Sequence, residues 1–86
     1  MNTQPNAVFK SLGTVVTLYQ NRLVHKLPGC LFSKTETILY KNITSIESPP
    51  LLAAVDIHTA DGKVHRIALN PISKAAELKA MLESLL

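Results

Sequence analysis

Apolar and β-branched residues concentrate in two short runs near the start of the chain, residues 14–19 and residues 22–27. Only Gln20-Asn21 separates the two runs. Strand-type runs joined by two residues predict a β-hairpin with a tight turn. We therefore expect the chain to begin its folded part with antiparallel strands.

A two-residue turn decides which side chains of this hairpin share a face. Val16 then lies opposite His25, and Leu18 lies opposite Leu23, on the face that is the better candidate for the core. The other face is partly apolar and would be exposed. It holds Val15, Thr17, Tyr19, Val24 and Lys26.

Residues 59–63, Thr-Ala-Asp-Gly-Lys, predict a second hairpin, for which two turn types compete. A two-residue turn would place Ile57 opposite Arg66 and so mix charge with hydrocarbon. A three-residue loop at residues 60–62, with Gly62 in a left-handed conformation, separates the apolar from the charged side chains, and we prefer it. Its pairs are Val55 with Ile67, Ile57 with His65, Ala53 with Leu69, and Asp56 with Arg66 on the outside.

Shorter runs predict further strands at residues 30–32, 35–40 and 43–47. Residues 41–42 read as a tight reversal between the last two of these strands. Pro49-Pro50 cannot donate hydrogen bonds to a sheet, so it marks the connection to the second hairpin.

Near the C-terminus, apolar residues recur every three or four positions, which is the spacing of a helix. Asn70 is the expected N-cap with Pro71 at the first helical position, although Ser73 is an alternative cap. We predict one amphipathic helix that covers or plugs the strands. Its apolar stripe comprises Ile72, Ala75, Leu78, Leu82 and Leu85, widened by Met81 and Leu86.

Six or seven short strands, with hairpins first and one helix last, resemble the pleckstrin-homology-like (PH-like) barrel, in particular the small bacterial PH-like domains. The resemblance implies a mostly β fold, a small antiparallel barrel capped by the helix. We expect a flexible tail at residues 1–6 and a single PH-like domain at residues 7–86. The segments that carry the resemblance are residues 15–23, 38–46, 57–63 and 75–86.

In PH-like folds the helix caps one end of the barrel, and ligands are contacted by loops at the opposite end. By this resemblance the predicted turns would bring Arg22, Lys41 and Lys63 together as a small anion-binding patch. The phosphoinositide-binding members use a long basic loop between their first two strands, whereas Gln20-Asn21 is short and uncharged. Weak binding of anionic lipid is therefore an alternative function, and nucleic acid is a less favoured ligand.

Composition agrees with one small folded domain. The chain has 86 residues, of which 47% are hydrophobic and 17% are charged. The net charge of +3 comes from nine basic and six acidic residues, and the basic residues form no run. Charge alone therefore does not indicate a nucleic-acid or membrane partner.

Cys30 is the only cysteine, so an internal disulfide is excluded and a reducing, cytoplasmic compartment is expected. The first ten residues lack the order of charge and apolarity of a secretion signal. No apolar stretch approaches the roughly 18 residues of a membrane span.

Candidate chemistry is sparse. His58 and His65 would face each other only in the rejected register, and no third metal ligand stands near them. Cys30 has only His25 nearby in sequence, across a Pro-Gly turn, and lacks an orienting third group. We predict no metal, no cofactor and no enzymatic activity.

These observations favour a non-enzymatic binding or assembly module. Its partner would be another protein or a second copy of the chain. The partly apolar second face of the first hairpin motivates this hypothesis, because exposed apolar patches often mark interfaces. The interface candidates are Val15, Thr17, Tyr19 and Val24.

Overall fold

The structure is a computed structural model that describes residues 4–27 and 34–86. Within these residues, seven strands form two antiparallel sheets. Sheet A has the order β1-β2-β3-β4, and sheet B has the order β5-β6-β7. The elements are β1 (Ala7–Ser11), β2 (Thr14–Leu18), β3 (Arg22–Leu27), β4 (Lys34–Leu39), a 3₁₀ helix (Tyr40–Asn42), β5 (Ile43–Glu47), β6 (Ala54–Thr59), β7 (Val64–Ala68) and α1 (Ile72–Leu85).

The mostly antiparallel β fold with a C-terminal helix is confirmed, but the expected closed barrel is wrong. Each sheet is a separate meander, and among the described strands none of sheet A is hydrogen-bonded to one of sheet B. The core lies between the two sheets and α1. Its fully buried side chains include Val16, Leu18, Leu23, Val55, Ile57, Ile67, Leu69, Leu78 and Leu82.

The register of the first hairpin is confirmed. Val16 pairs with His25, and Leu18 pairs with Leu23. All four side chains are buried, because the two-residue turn places them on the face toward sheet B and α1. Local turn length and alternation were therefore sufficient to identify this part of the core.

The register of the second hairpin is confirmed as well. Ile57 pairs with His65 toward the core, while His58 lies on the opposite face. On that face the Arg66 guanidinium donates to both Asp56 carboxylate oxygens, at 2.7 and 2.8 Å. The hydrogen bond from Arg66 holds the pKa of Asp56 below its usual range.

Gly62 occupies the left-handed position of this hairpin loop, with φ of 85°. A Cβ at this position would meet no atom within 4 Å, so only backbone conformation disfavours another residue. We expect Gly62→Ala to lower the free energy of unfolding by about 1 kcal/mol, because a left-handed L-residue is strained. Chemical denaturation checks this, with Gly62→Asn as the control, since asparagine tolerates this conformation better. Equal losses in the two variants would contradict the explanation.

Strand β1 was not predicted from the sequence. Ala7 and Phe9 pack against the core, while Val8 points outward. The turn that joins β1 to β2 has positive φ at Leu12 (48°) and at Gly13 (89°). A leucine at a left-handed position is unusual, so the sequence carried only the glycine as a turn signal.

The predicted reversal at residues 41–42 needs correction. β4 and β5 do not pair, because the 3₁₀ helix carries the chain from sheet A to sheet B. This corner, residues 40–42, is joined to two neighbouring turns by backbone hydrogen bonds. Tyr40 N donates to Asn21 O at 3.1 Å, and Ala60 N donates to Asn42 O at 2.8 Å. The strand predicted at residues 30–32 lies outside the described residues.

The start of α1 differs from the prediction. The helix begins at Ile72 with Pro71 as its N-cap, and no side chain caps it. Asn70 instead takes part in a tertiary contact, in which its backbone N–H donates to Ser11 Oγ at 2.9 Å. This contact anchors the chain to β1 just before the helix begins.

The buried stripe of α1 is narrower than predicted. Ala75, Leu78 and Leu82 are buried, and Leu85 is half-buried. The remaining members of the predicted stripe are exposed, because only one narrow face of the helix docks against sheet B. They are Ile72, Met81 and Leu86.

The helix packs on sheet B, where it contacts β5 and β6. Near its start, Lys74 Nζ donates to Lys10 O at 2.6 Å. At its other end, Leu85 and Leu86 line a groove with Asn21 and other residues of the corner. The helix thus ends beside the turns that the resemblance placed at the opposite end. Across residues 4–27 and 34–86, no helix is long and apolar enough to cross a membrane.

Candidate functional site

The side of sheet A that faces away from the core forms one continuous surface, here called the outer face. Alternation along each strand places its residues there, and cross-strand pairing arranges them in rows. One row is Lys10, Val15, Lys26 and Thr35; the next is Val8, Thr17, Val24 and Thr37; the last holds Tyr19, Arg22 and Leu39.

All four predicted interface residues lie on the outer face. These residues are Val15, Thr17, Tyr19 and Val24. Each is half-buried, because it lies on or beside a central strand of sheet A, where neighbouring side chains cover part of it. Val8 on the edge strand β1 is more accessible, at 48% exposure, and sequence reasoning missed it together with β1. The alternation of Ala7 and Phe9 with Val8 was the signal that could have found it.

Arg22 belongs to the rim of the outer face. Its guanidinium carbon lies 4.1 Å from the centroid of the Tyr19 ring, a cation–π contact. The guanidinium also donates to Asn21 Oδ1 at 3.0 Å. These contacts orient one positive charge beside an aromatic ring at the edge of the sheet.

The turns of the predicted anion patch lie together, and a carboxylate lies among them. The backbone hydrogen bonds of the corner do bring the three turns together, and Lys41 and Lys63 lie exposed on two of them. Asp61 lies in the same region, where it accepts from Thr59 Oγ at 2.5 Å and from Lys63 N at 3.1 Å. These hydrogen bonds, the one from Thr59 foremost, lower the pKa of Asp61. An ionised carboxylate therefore offsets the lysine charge in this region.

A cavity of about 560 Å³ opens between β4 and the turn that joins β6 to β7. Thr59, Asp61 and His65 line it together with the last residues of β4. Thr59 Oγ lies 3.4 Å from His65 Nε2, while its proton is directed to Asp61 at the shorter distance of 2.5 Å. His65 is therefore not aligned to activate this hydroxyl as a nucleophile.

One carboxylate joins two imidazoles between the sheets. His25 Nδ1 lies 3.6 Å from Glu36 Oε1, and His65 Nδ1 lies 3.4 Å from Glu36 Oε2. His25 is 2% exposed, and neither of its ring nitrogens has a hydrogen-bond partner among residues 4–27 and 34–86. Burial lowers the pKa of His25, against the opposing effect of Glu36.

The cluster of His25, Glu36 and His65 was missed because its residues come from three different strands. It is also not a metal site by its geometry. No group of three His, Cys, Asp or Glu side chains in the described ranges is placed to hold a metal ion. The cluster is a partly buried polar contact between sheet A and sheet B, in which only His25 of the three is fully covered.

The outer face is therefore a continuous surface that the described part of the fold leaves open for contact with another molecule. It combines the uncharged row of Val8, Thr17, Val24 and Thr37, here called the apolar row, with positive charges on both sides. Comparison of the chain with family models, with curated proteins and with solved structures gives no match.

Proposed function

We propose that the chain is a non-enzymatic binding module of PH-like fold. Its outer face contacts a protein partner or a second copy of the chain. The observation that carries the proposal is the row of Val8, Thr17, Val24 and Thr37, which crosses all four strands of sheet A without a charge. Protein interfaces typically combine a centre depleted of charge with a polar rim.

The PH-like part of the proposal rests on the order of elements. A meander of four strands is followed by a meander of three strands and then by a helix. This is the order that the sequence resemblance implies, although the two sheets stay separate. Fold resemblance alone does not assign a ligand, so the binding surface is argued from its own residues.

The chemistry of the cavity supports binding over catalysis. Of its two lining hydroxyls, those of Thr37 and Thr59, the one on Thr59 donates to Asp61 and so helps to hold the hairpin loop. Asp61 in turn accepts from Lys63 N within the same loop. These side chains have structural partners already, which favours a scaffold role for them.

Exposed valines on the two sheets provide a matched test. Val8 on β1 is 48% exposed, and Val64 on β7 is 53% exposed. We expect Val8→Gln to weaken partner binding or self-association about tenfold, because a valine methyl surface is lost from the interface. Val64→Gln should leave it unchanged.

Self-association is measured by light scattering from micromolar to millimolar concentrations, and partner binding by quantitative capture from cell extract. Circular dichroism establishes that both variants are folded. Equal behaviour of Val8→Gln and Val64→Gln in both measurements would overturn the proposed interface.

A further inference from the structure

The net positive charge of the chain lies on the outer face. The chain has nine basic and six acidic residues. Three of the basic residues, Lys10, Arg22 and Lys26, lie on the outer face. The other six basic residues equal the acidic residues in number, so the outer face carries the entire net charge of +3.

No acidic side chain of the chain lies on the outer face. Glu36 is on the core side of sheet A, opposite His25. The others lie on sheet B, in its hairpin loop or on α1, and several are paired there with cations or histidines. They are Glu47, Asp56, Asp61, Glu77 and Glu83.

The three cations lie in the two rows that flank the apolar row. Lys10 and Lys26 flank Val15 in one row, and Arg22 lies at the opposite border beside Tyr19. Lys10 and Lys26 stand two strand spacings apart, about 10 Å, and Lys26 is four residues from Arg22 along β3, about 13 Å. An uncharged centre is therefore bordered by positive charge on two sides.

We propose that the outer face binds an acidic protein surface, one whose carboxylates border an apolar patch. This inference rests on the proposed function and names its partner class. Charge complementarity of this kind selects partners and raises association rates. With four strands about 4.8 Å apart, the face spans roughly 15 by 17 Å, which suits a small, transient interface.

A second copy of the chain is a poorer occupant. Two-fold pairing of identical surfaces would place Lys10, Arg22 and Lys26 against the same three residues of the other copy. Like charges across an interface disfavour that pairing. The remainder of the molecule has equal numbers of acidic and basic residues, so a head-to-tail pairing with it gains no net charge complementarity.

Nucleic acid and membrane surfaces are also poorer occupants. Nucleic-acid interfaces are much more positively charged, and lipid-binding segments usually cluster about four to eight basic residues. Here only three cations are present, and Val15, Thr17 and Val24 are half-buried within the sheet instead of protruding to insert into a bilayer.

The test titrates the full, ¹⁵N-labelled chain with a short soluble peptide in which glutamates flank a cluster of valines. We expect amide shifts confined to sheet A. The double variant Lys10→Glu, Lys26→Glu should bind at least about tenfold more weakly, because both contacts become repulsive. The matched double variant Lys41→Glu, Lys63→Glu changes the net charge equally and should alter binding by less than about threefold.

Four outcomes would overturn the inference. The first is equal weakening by both double variants, and the second is tighter binding of phosphatidylserine vesicles or single-stranded DNA than of the peptide. The third is a dimer that Val8→Gln abolishes and that charge reversal at Lys10 and Lys26 leaves intact. The fourth is an absence of peptide shifts while Val8→Gln still loses a captured partner. The last two would leave the proposed function standing, whereas equivalence of the two valine variants would remove it.

Discussion

Replacing Leu78 with alanine is expected to lower the free energy of unfolding by about 3 kcal/mol. Leu78 is fully buried in the middle of α1, where the helix docks against sheet B. The substitution removes packed methyl groups and leaves a cavity that the stiff sheets can close only in part. In a domain of this size such a loss is a large fraction of the total stability.

Met81 supplies the control on the same helix. Its side chain is 38% exposed, so Met81→Ala should lower the free energy of unfolding by less than about 1 kcal/mol. Urea denaturation followed by circular dichroism measures both variants. Losses of the same size would mean that α1 docks with a different face.

Replacing His25 with leucine is expected to raise the free energy of unfolding at neutral pH by about 1 kcal/mol. Within the part of the chain that the structure describes, the two ring nitrogens of the buried imidazole have no hydrogen-bond partner, and leucine of similar size removes that penalty. The same substitution should remove part of the acid sensitivity of the wild-type chain.

The pH dependence follows from the lowered pKa of His25 in the folded state. As pH falls below 6.5, the unfolded chain binds a proton that the folded chain resists. Stability is therefore highest above pH 6.5. It falls by up to about 1.4 kcal/mol per pH unit until the folded-state pKa is passed. Glu36 and His65 face His25 in this cluster, and both remain in the variant.

Urea titrations at pH values from 7.5 down to 5 measure this difference. The carboxylates Asp56 and Asp61 have lowered pKa values, so they contribute below this window. Subtracting the His25→Leu curve from the wild-type curve isolates the histidine. Parallel curves would show that His25 is not the group that titrates.

Both hairpin registers followed from local rules. In the first, a two-residue turn and alternation of apolar residues placed Leu18 opposite Leu23. In the second, the need for a left-handed residue at Gly62 selected the correct loop. Such features depend on residues close in sequence, and these are the ones that a sequence displays.

The features that could not be predicted depend on tertiary contacts. Helical periodicity indicated the apolar stripe but not how much of it docks, so Ile72 and Met81 were assigned to a core that they do not reach. Strand β1 ends at Ser11 and is followed by Leu12, which occupies a conformation that leucine rarely adopts. Glu36 lies opposite His25 through strand pairing in sheet A, and it meets His65 only because sheet A packs against sheet B.

For the candidate site, the sequence predicted five of the outer-face residues, Lys26 among them, but not the surface that they form with β1 and β4. Val8 lies at the exposed end of the apolar row. It could be assigned to this surface only if β1 had been predicted as a strand. Lys10 and Lys26 seemed dispersed along the chain. Antiparallel pairing through Val15 is what places them on the same side of sheet A.

The uneven distribution of charge gives the molecule a permanent electric dipole. Six basic and six acidic residues elsewhere are equal in number, so the net positive charge is offset from the centre of the molecule toward sheet A. Within about a Debye length, roughly 8 Å at physiological salt, a negatively charged body exerts a torque that turns the outer face toward it. Encounters would thus begin in the productive orientation, and the association rate would fall as salt is added while the apolar row continued to set the dissociation rate.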